Sequence, residues 1–87
     1  MNTELLKGVN NHSEFIRKVR EHKKMSRMEL KRKYNQKYNK KVSYMTFYRL
    51  ENKPEIKSRK NFLKDVLQIL GVDYKVYKKF LKERIKE

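Results

Sequence analysis

Four times along this chain a Ser or Asp stands just before apolar residues spaced three and four apart, and no stretch alternates apolar and polar residues as a strand would. This pattern restricts the chain to helices. Ser13 is positioned to cap a first helix over about 13–24, with Phe15, Ile16, Val19 and His22 on one stripe. Ser26 with Glu29 three residues on is a capping box opening a second helix near 27, in which the hydroxyl accepts from the N3 amide and the carboxylate reaches back. Met25 stands before it as a staple, and Leu30 and Tyr34 continue its apolar face. The Asn-rich stretch that follows either stays helical to about 38 or opens into a basic loop. Ser43 is expected to cap a third helix that Pro54 stops. Phe62, Leu63, Val66, Leu67, Ile69 and Leu70 mark a fourth, from 59 or 60 to 70, ended by Gly71. Asp73 opens a last one to about 86, striped by Tyr74, Tyr77, Leu81 and Ile85, with Val76 and Phe80 beside it. The expected fold class is all-α with about five helices: a flexible lead over 1–11, then one domain over 12–87.

Eighty-seven residues suffice for one small core. No Cys is present, which excludes disulfide frameworks, thiolate zinc sites and cysteine nucleophiles. No apolar run approaches the roughly 20 residues that span a bilayer, and no signal-peptide pattern opens the chain. The expectation is a soluble, cytoplasmic protein. His12 and His22 have no partner at metal-ligand spacing, and no set of acids, bases and nucleophiles suggests catalysis, so neither metal, cofactor nor enzyme activity is expected.

The charge is uneven. Residues 17–60 hold 17 of the 25 Lys and Arg but 4 of the 10 acids, a net of +13; the other 43 residues carry +2. Solubility alone would spread the charge, so one face is built to meet a polyanion, with nucleic acid ahead of an anionic membrane surface. The third helix is the element to meet it. Phe47 and Leu50 anchor that helix, while Tyr44, Met45, Tyr48 and Arg49 lie on another face. A helix fits the major groove of B-DNA, and a guanidinium pairs with both acceptors of guanine, which makes Arg49 the leading base reader. Tyr44 and Tyr48 can donate to bases or phosphate, Met45 suits a thymine methyl, and Thr46 is grouped with them. Arg27, Lys40, Lys41 and Ser43 are suited to phosphate, which fixes register and affinity. Lys53, Lys57, Arg59 and Lys60 extend the basic surface.

Three segments in order carry a resemblance: Ile16 through Met25-Ser26-Arg27-Met28-Glu29-Leu30, then Val42 through Leu50-Glu51-Asn52-Lys53, then Phe62 through Leu70-Gly71-Val72. Together they resemble the lambda-repressor/Cro-like (XRE) family of bacterial and phage helix-turn-helix regulators. The resemblance implies that Asn52 and the loop after it touch the DNA backbone, that Arg59 reaches a minor groove, and that Arg20 and Glu51 form an ion pair fixing the reading helix. It also implies a nucleoid-associated repressor of a phage or mobile element. The chain departs from the pattern at two places. Glu51 follows Leu30 by 21 positions, a surplus of about six residues over the family, or ~9 Å if helical. Lys53 also stands where the family often has Gly, so a left-handed backbone is not needed there.

A homodimer on two half-sites is expected, with its seam on the last helix or on Leu63 and Leu67. Two alternatives stand beside the regulator. One is a protein-interaction module, such as an antitoxin or host-system inhibitor keeping the DNA-binding fold. The other is a DNA-architecture or conjugation accessory factor with little sequence preference.

Overall fold

The first four helices each start after a residue in extended conformation, but not always the one the pattern favours. The computed structural model describes residues 7–84, which form α1 (His12–His22), α2 (Arg27–Tyr38), α3 (Tyr44–Asn52), α4 (Lys60–Ile69) and α5 (Tyr74–Arg84), with no strand. The fold is all-α, as expected from the periodicity. The expected end of α5 near 86, and Leu5, Leu6 and Ile85, lie outside the described residues.

The first correction concerns the start of α1. Asn11, not Ser13, is its cap: the Asn11 side chain accepts from the Glu14 amide at 2.9 Å, and the Glu14 carboxylate accepts from the Asn10 amide at 2.9 Å. This places Ser13 inside the first turn, buried, with no partner for its hydroxyl among the described residues. Val9 is also buried in the core. The loose lead expected over 1–11 therefore does not include Val9 and Asn11, which tie it to the domain.

At α2 the Ser26 hydroxyl accepts from the Glu29 amide at 3.0 Å, but the Glu29 carboxylate turns to Lys33 at 3.6 Å, so only the Ser26 half of the expected box forms. Ser43 precedes α3 without a side-chain cap; its hydroxyl meets that of Thr46 at 3.2 Å. α3 stops at Asn52, and Lys53 has φ −125°, outside the left-handed region.

α1 and α4 end in the same way. The amides of Lys24 and Met25 return to the carbonyls of Glu21 and Arg20, and those of Gly71 and Val72 to the carbonyls of Gln68 and Leu67. The turn needs a left-handed residue, supplied by Lys24 (φ 56°) in one case and Gly71 (φ 75°) in the other.

The Asn-rich segment after Tyr34 divides into helix and turn. α2 stays helical through Tyr38, and Asn39 (φ 52°) closes it in the left-handed region. The last turn of α2 carries Tyr38 to α4, where its hydroxyl donates to Gln68 Oε1 at 2.9 Å. The turn over 39–43 is pinned by Asn35. The Asn35 amide nitrogen donates to the Val42 carbonyl at 3.0 Å, and its oxygen accepts from the Val42 amide at 2.9 Å.

Two clusters of rings hold the helices together. Phe15 of α1 meets Tyr77 and Phe80 of α5 at centroid distances of 5.2 and 4.9 Å. Tyr34 of α2 meets Phe47 of α3 and Phe62 of α4 at 5.6 and 5.3 Å. Edge and tilted contacts of this kind add to the burial of apolar area. Ile16, Val19, Leu30, Val66 and Leu70 complete the core. Leu67 is fully buried here as well, which removes it from the expected dimer seam; Leu63 is half-buried.

Candidate nucleic-acid interface

α3 buries Phe47, Leu50 and Glu51. At about 100° per residue, the side opposite these three carries Met45, Arg49 and Asn52. Met45 is 47% exposed, Tyr48 38%, and Arg49 is exposed. The outward ridge of the helix thus holds the leading base reader, flanked by two groups of cations.

On one flank the cations are spoken for. Arg20 reaches across from α1 and engages both oxygens of the buried Glu51 carboxylate, Nε to Oε2 at 2.7 Å and a terminal nitrogen to Oε1 at 2.9 Å. Its other terminal nitrogen donates to the Met25 carbonyl at 2.7 Å, so one guanidinium joins α1, the α1–α2 turn and α3. Arg27 adds a second guanidinium, 3.3 Å from Glu51 and donating to the Tyr44 hydroxyl at 2.9 Å. Its carbon lies 5.7 Å from the Tyr44 ring centroid and 5.2 Å from that of Tyr48, within cation–π range. Burial opposes its charge, but the Tyr44 hydroxyl and the Glu51 carboxylate outweigh it and raise its pKa further.

This flank corrects the sequence reading in two respects. Arg27 does not stand free as the sequence suggests, because Glu51 and Tyr44 hold it. Tyr44 is half-buried, and its oxygen already accepts a bond, leaving only its own proton to donate outward. Asn52 has one amide hydrogen committed: it donates to the Tyr48 carbonyl of its own helix at 3.0 Å, which leaves its second N–H and its oxygen for a partner.

The other flank is open. Lys40 and Lys41 on the 39–43 turn, Arg49 of α3, and Lys57 and Arg59 on the connection to α4 are all exposed and line one cleft of about 680 Å³. None of these five forms an ion pair among the described residues, and no acidic residue lines the cleft. Ser43 and Thr46 also line it, at the start of α3. The expected site residues therefore fall into a ridge, a locked flank and an open flank on one side of the domain, with Lys53 exposed at the end of α3.

Sequence reasoning missed Asn35, which shapes the turn carrying Lys40 and Lys41. An Asn in the middle of a helix, where its propensity is poor, was the available signal. It also missed Ile56, 47% exposed in the cleft. No group of His, Cys, Asp or Glu among the described residues is arranged to hold a metal ion, and no helix there is long and apolar enough to cross a membrane.

The chain matches no protein-family model, no curated protein and no solved structure.

Proposed function

We propose that this chain binds double-stranded DNA in a sequence-dependent manner, lays α3 in the major groove, and acts as a small regulator of the Cro or short-repressor kind, where occupancy of a site excludes polymerase. The observation that carries this reading is the build of α3. Its buried side is fixed by Phe47, Leu50 and the two-armed Arg20–Glu51 pair, while Met45 and Arg49 stand outward beside four further cations without an ion pair among the described residues. A reading helix needs that division, because base contacts specify only when the helix is held rigidly and phosphate contacts set its register. Lys40, Lys41, Lys57 and Arg59 are the groups for phosphate. Arg49 is the group for guanine, and Met45 the group for a thymine methyl. The resemblance to lambda-repressor/Cro-like regulators points the same way. Action as a homodimer belongs to the proposal too; with Leu67 inside the core, its seam falls to α5, where Val76 is 48% exposed.

The test is a gel-shift titration against the DNA upstream of the chain's own gene, with competitor duplex, at two salt concentrations. Specific binding with a steep salt dependence is expected. Arg49→Ala should lower the preference for the chosen site by about ten- to a hundredfold, as loss of one bidentate base contact does. Equal affinity for every duplex, or an Arg49→Ala variant as selective as the parent, overturns the assignment.

A further inference from the structure

The cleft on the open flank has a floor as well as a rim. Val42, Leu50, Ile56 and Phe62 supply apolar surface between the cations. Ile56 is 47% exposed there, on a connection held by its own amide bonding to the Lys53 carbonyl at 3.0 Å. Leu50 and Phe62 already contribute to the core, but half of Ile56 faces water in a ring of positive charge. With the half-buried Val42 and Phe62 it forms an apolar floor rimmed by cations, and an apolar patch with a polar rim is the build of a contact site.

A duplex does not fill such a site. Its outer rails are phosphate and sugar, which match the rim but offer the floor only the shallow edges of sugar rings and no projecting apolar group. The occupant must place several negative charges around one apolar group. The cations sit on three separate elements, the 39–43 turn, α3 and the connection before α4, an arrangement matched by negative charges carried along a chain. An extended peptide advances roughly 3.3 Å per residue, so carboxylates on either side of a single apolar side chain span such a rim.

We propose that this cleft docks an acidic protein segment anchored by one aromatic or large aliphatic side chain on Ile56. The docking stands independently of the DNA reading. Its consequence, that the segment and a duplex exclude one another, rests on that reading, since both would use Lys40, Lys41, Arg49, Lys57 and Arg59. The segment would then act as an antagonist of DNA binding.

The test uses a short labelled peptide of Asp and Glu around one central Phe, and its twin with Ser in place of Phe, measured by fluorescence polarisation on the full chain without DNA. The Phe peptide should bind about tenfold tighter than the twin, as expected for partial burial of one aromatic ring. Ile56→Ser removes an exposed side chain and keeps every charge, so it should erase that difference while leaving duplex binding in the gel shift unchanged. Twins of equal affinity, or a preference that survives Ile56→Ser, overturn the proposal. A labelled oligothymidylate whose binding depends on Ile56 when the peptide's does not also overturns it, and assigns the cleft to unstacked bases. Peptide that binds as expected but is not displaced by duplex refutes only the shared use of the cations. Loss of duplex selectivity as such refutes only the reading of α3.

Discussion

On one side of α3, Arg20 and Arg27 converge on the buried Glu51, two cations sharing one acid; on the other, Lys40, Lys41, Lys57 and Arg59 surround a cleft with no acid in its wall. Both sides are basic, yet they do different work. The first holds α3 in place through groups removed from water, where a charge without its partner is costly. The second contributes almost nothing to folding, because its cations stay hydrated and unpaired. The composition alone gives the two sides the same appearance. Burial of one carboxylate separates them.

The strongest way to break this contrast is Arg20→Ala. It leaves the Glu51 carboxylate with Arg27 alone, and chemical denaturation should report a loss of about 3–5 kcal/mol. That is a large share of the 5–15 kcal/mol typical of a whole domain. Replacing Arg20 and Glu51 together by Met should return much of the loss, which separates a stranded charge from a missing contact.

Asn35→Ala tests how the open flank keeps its shape. The Val42 amide and carbonyl lose both their partners, for about 1–3 kcal/mol. Because the turn bearing Lys40 and Lys41 is released, duplex affinity should fall as well, although Asn35 itself touches no partner.

Tyr44→Phe removes the hydroxyl that Arg27 bonds but leaves the ring beneath the guanidinium. About 0.5–1.5 kcal/mol should be lost, the net contribution of one hydrogen bond. A much larger loss would mean that Glu51 depends on Arg27 more than the 3.3 Å separation implies.

Lys41→Ala sharpens the contrast from the other side. Thermal stability should move by less than about 0.5 kcal/mol, while the salt dependence of duplex binding should flatten by about one counterion. A destabilised Lys41→Ala variant would show that the open flank carries the fold after all.

What the sequence makes legible here is local. Gly71 and Asp73, the apolar spacing of α4, and Phe47 with Leu50 at three apart each act within a turn or two, and the fold class follows from them. Legibility fails where two nearby residues compete for one role, or where partners come from distant segments. Asn11 and Ser13 both precede the α1 stripe, and only the packed helix shows that Ser13 is turned inward. Arg27 reads as an exposed base near a helix start until α3 brings Glu51 and Tyr44 to it. Leu67 belongs to an apolar face wide enough to suggest a spare side, but the neighbouring helices cover it. The Asn-rich segment leaves helix and loop both open because its helix propensity is poor; Tyr38 on α4 and Asn35 on Val42 decide for helix as far as Tyr38.

The shared carboxylate has one more consequence. Arg20 by itself occupies both oxygens of Glu51, so the second guanidinium is supernumerary. Loss of Arg27 would leave the acid still paired, whereas loss of Arg20 would leave it a single contact at 3.3 Å. Of two guanidiniums meeting at one glutamate, the first is the strut and the second a brace.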